Sequence, residues 1–116
     1  MIIKNADNIA KRANSTLDEF VRAVKIDLFT GVIEDTRVDT GRMKGNWQTT
    51  VGSPATGTVS IRSESATVSD MERKSGGAGD TTYLTNNVPY VGVWEMRDGM
   101  VAKNIARIET NIRKRK

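Results

Sequence analysis

The chain of 116 residues has no cysteine and no histidine. Without cysteine it can form neither disulfides nor thiolate metal sites. Without histidine it lacks the commonest general base and metal ligand at neutral pH. Catalysis would have to rest on carboxylates, lysine, tyrosine or serine. Aromatic residues make up only 5% and hydrophobic residues 37%, so the core is expected to be thin and completed by neighbouring subunits. No apolar run approaches the ~18 residues of a membrane span, and the opening MIIKNADN lacks the apolar core of a secretory signal. Synthesis and use without membrane crossing by a standard route is the expectation. One domain, residues 1–116, suits this length.

The net charge of +4 is unevenly placed. Lys103, Arg107, Arg113, Lys114, Arg115 and Lys116 stand against a single Glu109 at the C-terminal end. Basic character therefore belongs to that segment, and a nucleic-acid reading rests on it alone.

Residues 5–34 carry a helical period. Ile9, Ala13, Leu17, Phe20, Val21, Val24 and Leu28 form one apolar stripe, and Ile26, Phe29 and Ile33 widen it near the end. A helix of about 26 residues spans roughly 39 Å, long for so small a domain, and its polar first half is expected to project. Next comes TRVDTGRMKGNW, residues 36–47, which reads as a rigid corner. Asp39 is placed to cap a short turn by accepting the N–H of Gly41 or Arg42. Gly45 is placed to end it in the left-handed conformation. Arg42 and Lys44 project from the turn, and Trp47 anchors it.

Residues 46–51 read as a strand, 53–57 as a turn and 58–62 as a second strand, with a hairpin between them. Residues 63–80 form a long connection, expected as a flexible insertion that becomes ordered in an assembly. Within it residues 67–74 suit a short helix, with Ser69 and Glu72 as a capping box and Gly76 or Gly77 as its stop. Residues 81–86 read as a strand. Pro89 forbids a central-strand position, and 88–96 fits either a strand or, slightly better, a helical turn. A turn at 97–99 and a helix over 100–114 follow. The predicted class is α+β: a long N-terminal and a C-terminal helix packed on a small, mainly antiparallel sheet.

Several short patterns invite chemistry. Asp39-Thr40-Gly41 is the triplet of aspartic proteases, but that chemistry needs two paired carboxylates on an all-β body. A helical pattern precedes it here, and capping explains the same residues. Glu34, Asp35, Asp39, Asp80, Glu95 and Asp98 have no metal-ligand spacing. Gly76-Gly77-Ala78-Gly79 lacks the Lys-Ser/Thr of a phosphate loop and reads as a hinge. Tyr90 and Trp94 could stack on bases, but they sit in an apolar run that suits a core or subunit interface.

Taken in order, a larger set stands out: the long helix, Val38-Asp39-Thr40-Gly41-Arg42, Gly45-Asn46-Trp47-Gln48, Gly79-Asp80-Thr81, Tyr83-Leu84-Thr85-Asn86-Asn87, Pro89-Tyr90, Trp94-Glu95, and Gly99-Met100-Val101 before a closing helix. This resembles the neck and tail-completion (head–tail joining) proteins of tailed bacteriophages. There a V-D-T-G-R block with G-N-W and a Y-x-T-N-N-x-P-Y block flank a Gly- and Ser-rich insertion. Each block is short; the ordered set is fairly specific and covers most of the chain. One departure is that relatives usually continue Glu-Tyr-Gly and a longer polar loop, where this chain has Glu95-Met96-Arg97-Asp98.

The resemblance implies a structural virion protein that forms a closed ring, a hexamer or dodecamer, between the portal–connector and the tail around the DNA exit channel. It would be assembled in the host cytoplasm, with no enzyme activity, cofactor, metal or membrane. Arg42, Lys44 and Trp47 would organise the corner and belong to the subunit and partner interface. Met71 and Arg73 in the insertion, and Tyr90, Trp94, Arg97 and Asp98, would meet neighbouring subunits, the connector or the tail. Arg113, Lys114, Arg115 and Lys116 would lie where passing DNA can touch them. Two other readings are a small nucleic-acid-binding protein acting through the basic helix and a dimeric aspartic protease.

Overall fold

A computed structural model describes residues 6–38, 41–77 and 79–114, with side chains from Leu17 to Arg113. Its elements are α1 (Ala6–Asp35), α2 (Arg42–Gly45), β1 (Gln48–Val51), α3 (Glu64–Lys74), β2 (Thr82–Thr85), α4 (Val91–Asp98) and α5 (Met100–Lys114). The fold is α+β.

The periodicity of α1 is realised as a helix of 30 residues. At ~1.5 Å per residue that is about 45 Å, against a longest molecular dimension of 56 Å. Its widened C-terminal stripe is the part that enters the core. Val32 and Ile33 are buried, and Ile26, Leu28 and Phe29 pack around them, whereas Leu17 is 56% exposed. Ile9 and Ala13 have side chains outside the described set. The helix closes on itself where Thr36 Oγ1 donates to Val32 O at 2.6 Å. Lys44 Nζ then reaches back to Glu34 O at 3.1 Å, satisfying a carbonyl left free at the helix end.

The corner is built differently from the sequence expectation. Asp39, the expected cap, lies outside the described residues. The left-handed glycine comes before the short helix, not after it: Gly41 has φ +81° and Gly45 is an ordinary helical residue. Gly45 is needed for another reason. A Cβ there would come within 2.6 Å of the Arg62 carbonyl oxygen, so only glycine lets residues 58–62 run this close. Asn46 then fastens the two. Its Nδ2 donates to Arg42 O at 2.7 Å and its Oδ1 accepts the Val59 N–H at 2.8 Å, which uses both ends of a fully buried amide.

β1 pairs antiparallel with β2, in the register Gln48↔Thr85, Thr49↔Leu84, Thr50↔Tyr83 and Val51↔Thr82. The expected hairpin with residues 58–62 does not form. That segment is held instead by Asn46 and by Arg62, whose guanidinium donates to Gly45 O at 2.9 Å and Trp47 O at 2.7 Å. These tethers fix it beside α2 with no strand pairing among the described residues, which hold a two-stranded sheet.

The stretch expected as a flexible insertion folds as α3 and a tied turn. The helix starts earlier than the expected capping box. Ser63 is the N-cap, its Oγ accepting the Ala66 N–H at 3.1 Å and its carbonyl accepting the Thr67 N–H. α3 lies between α1 and β1, with Thr67, Met71 and Ser75 buried. Two cations of α1 clamp its far end. Arg22 donates to Glu72 O at 2.8 Å. Lys25 Nζ donates to Gly77 O, Asp80 O and Thr82 Oγ1 at 2.7, 2.9 and 3.0 Å.

The ambiguous run at 88–96 resolves as α4, ended by Gly99 in the left-handed conformation. α5 runs back along α1, with Asn104 near Asp35 and Arg107 near Asp27. Val32, Ile33, Met43, Trp47, Met71 and Met100 form one small core.

Candidate functional site

The blocks that carry the phage resemblance lie far apart in sequence but meet in one frame. Trp47 Nε1 donates to Thr36 Oγ1 at 2.8 Å, locking the strand start to the end of α1. Asn86 Nδ2 donates to Met43 O at 2.7 Å, which ties the T-N-N block to α2. Asn87 Nδ2 donates to Ala55 O and Gly57 O at 3.0 and 2.8 Å. Glu95 reaches across Gly99 and accepts the N–H groups of Val101 and Ala102 at 2.9 and 3.1 Å. A carboxylate at this position caps α5 and suits the positive end of its dipole. The side chains of Trp47, Asn86, Asn87 and Glu95 are thus each engaged within their own chain.

The same geometry corrects several expected contact residues. Trp47 is 6% exposed and Met71 is 1% exposed, so both serve the core and neither can face a neighbour. Lys44 is turned inward, paired with Glu64 at 2.7 Å as well as with the α1 carbonyl. Arg42 is exposed on α2. Arg73 is exposed and paired with Asp70, which also takes Lys74 at 3.1 Å and Arg62 at 3.4 Å. Burial alone would raise the Asp70 carboxyl, but the hydrogen bonds and charges of Lys74 and Arg62 outweigh it and hold it below the usual range.

Tyr90 and Trp94 are half-buried against the core. Trp94 also carries a guanidinium on its outer side: Arg37 stacks on the indole at 4.1 Å, and Arg97 lies at 5.2 Å. Arg37 makes a two-pronged pair with Asp98 at 2.9 and 3.0 Å. That hydrogen bonding holds the Asp98 carboxyl below its ordinary value. The link joins the end of α1 to the end of α4, and Arg37 was not among the expected residues. Its partner lies 61 positions away, so no local pattern announces it.

What α4 offers outward is its other face. Val93 is 57% exposed and Met96 90%, with Arg97 beside them. Met96 lies two residues from Trp94, about 200° round a helix, so with Trp94 seated against the core it faces outward. A second apolar spot flanks the corner, where Val38 and Ile61 are 65% and 62% exposed along a groove of about 400 Å³. A third cleft, about 420 Å³, opens between α1 and α5, lined by Phe20, Val24, Ile108 and Ile112.

The acidic residues considered as a metal cluster serve separate ends. Asp80 accepts the Gly77 N–H, Asp35 accepts from Asn104, and Glu95 and Asp98 act as described. Among the described residues no group of three could hold a metal ion. The Asp39 carboxylate itself lies outside them, but what precedes it is α1, in an α+β body. On α5, Lys103 and Arg107 lie against Asp35 and Asp27, which leaves Arg113 as the exposed basic residue at its end. Lys114 has no described side chain, and Arg115 and Lys116 lie outside the described residues. No described helix is long and apolar enough to cross a membrane. No protein-family model, curated protein or solved structure matches the chain.

Proposed function

We propose that this chain is a structural subunit of a tailed-phage virion. It forms a six- or twelve-fold ring in the neck and joins the portal–connector to the tail around the DNA exit channel. The observation that carries this reading is the convergence of the resemblance blocks. Asn46, Trp47, Asn86 and Glu95 each make a specific contact inside one frame, so the ordered set of motifs has a structural reason to occur together. Around that frame the apolar side chains of α4 and the corner remain uncovered, as a subunit completed by neighbours requires. A basic end on α5 is compatible with a channel through which DNA passes.

Light scattering coupled to size exclusion, followed by electron microscopy, tests the reading. The expected result is a closed ring with a mass six or twelve times 12.8 kDa. A protein that stays monomeric at high concentration, and does not join isolated connector complexes, would refute it.

A further inference from the structure

α4 carries two features that its own chain leaves unexplained. The first is Gly92. The other helical glycines are pressed by a neighbouring segment: a Cβ on Gly31 would collide with Asn104, and one on Gly45 with Arg62. A Cβ on Gly92 would meet nothing within 4 Å among the described residues, and its φ is not positive. Alanine is the better helix former at such a position. The second feature is the strip beside it. Val93 and Met96 are both exposed, Met96 almost fully. Gly92, Val93 and Met96, at i, i+1 and i+4, share one face of the helix. An apolar strip edged by a glycine is a surface that a second element can approach closely. Arg97 flanks the strip. Its guanidinium lies near the Trp94 ring and makes no hydrogen bond or ion pair among the described residues.

The same chain holds a counterpart. The cleft between α1 and α5 has Phe20, Val24, Ile108 and Ile112 in its lining, with Ala23 and Asp27 along its α1 wall. Asp27 gives one carboxylate oxygen to Arg107 at 3.0 Å, and its second oxygen has no partner among the described residues. An apolar trough with a carboxylate at its rim matches an apolar helix face with a guanidinium at its edge. α4 cannot fill the cleft of its own chain. Asp98 ties it to Arg37, just past the end of α1, and about 16 Å of helix separates Asp35 from Val24. We propose that α4 of one copy lies in the α1–α5 cleft of the next. Val93 and Met96 cover Val24 and Ile112, Arg97 meets the second oxygen of Asp27, and Gly92 lets the helices come close. Each copy gives one surface and receives at another, a head-to-tail contact that closes into a ring. This inference rests on the ring reading above and names the surfaces that form it.

The absence of native cysteine makes a clean test. The full chain carrying Met96→Cys is mixed and reassembled with the full chain carrying Ala23→Cys, then mildly oxidised; Ala106→Cys, on the exposed side of α5, replaces Ala23→Cys as the control. In parallel, the mass of Gly92→Leu is compared with that of the unaltered chain by light scattering. The expected result is a disulfide between copies with Ala23→Cys but not with Ala106→Cys, and loss of ring mass in Gly92→Leu with unchanged helical circular dichroism. Rings that persist in Gly92→Leu, with cross-linking no greater than the control, would overturn this contact and leave the ring reading standing. Rings lost in Gly92→Leu without specific cross-linking would overturn the cleft as the seat of α4. Specific cross-linking with Gly92→Leu rings intact would support the contact and remove Gly92 from it. Specific cross-linking without a closed ring in the unaltered chain would support the contact and overturn the ring. A monomer with no specific cross-link would overturn both.

Discussion

The bond between Trp47 and Thr36 is the joint on which the corner depends, and its energetics can be dissected. Trp47 Nε1 has one acceptor, Thr36 Oγ1, and both residues are buried. Trp47→Ala removes a large buried ring, at an expected cost of about 3–5 kcal/mol. Finer changes isolate the hydrogen bond. Thr36→Val keeps the shape but strands the indole N–H in the core and loses the bond to Val32 O, together about 2–3 kcal/mol. Trp47→Phe removes the donor while leaving the threonine hydroxyl bonded to Val32, at about 1–2 kcal/mol with its lost volume. In the double variant no indole remains to be stranded, so its cost should fall short of the sum by about 1–2 kcal/mol. Urea unfolding followed by circular dichroism gives each value; thermal midpoints should drop by roughly 4 °C per kcal/mol. Strict additivity, or a Trp47→Ala variant as stable as the parent, would show that the corner is anchored elsewhere.

Other consequences follow from individual contacts. Arg62→Lys keeps a charge near Asp70 but loses the fork to Gly45 O and Trp47 O, and should cost about 2 kcal/mol in urea unfolding; a cost within experimental error of zero would make Arg62 a bystander. Because the folded Asp70 carboxyl is held below its ordinary value, its stabilising contribution is full above the unfolded value near ~3.9 and vanishes as pH falls through the lower folded one. Asp70→Asn should therefore be less stable than the parent near neutrality, with the difference shrinking in acid; a constant difference down to about pH 2 would contradict the linkage. Met96→Glu places a charge on a side chain that touches little of its own chain; it should leave the unfolding midpoint unchanged while weakening ring formation in light scattering, and intact rings would remove α4 from the assembly surface. Deleting residues 113–116 should leave rings intact, as judged by electron microscopy, and lost rings would make that segment a contact.

Much of the helical layout could be read directly. The α5 boundaries, Met100 to Lys114, follow from apolar spacing, and the end of α1 follows from the widened stripe, in which Ile33 is buried and Ile26 and Phe29 pack on the core. The start of α3 could not be read, since Ser63 caps it without a glutamate three residues later. The pairing of the strands was also hidden. Residues 58–62 and 82–85 are both strand-like, and the choice between them rests on Asn46, Arg62 and Lys25 acting over long sequence distances. The candidate site divides the same way. Trp94 and Asp98 stood out, but their partner Arg37 and the outward Met96 appear only once α4 is seated against the end of α1.

By itself the sequence determined the first and last helices, the chemistry ruled out by the lack of cysteine and histidine, and the ordered blocks on which the neck reading rests. These are local or compositional properties, set by side-chain type and spacing of three, four or two residues. Tertiary structure alone decided which segment joins β1, which way Trp47 and Lys44 turn, and which apolar side chains remain uncovered. Those outcomes depend on polar atoms finding partners ten or more residues away. A hydrogen bond of that kind leaves no periodic trace in the chain that makes it.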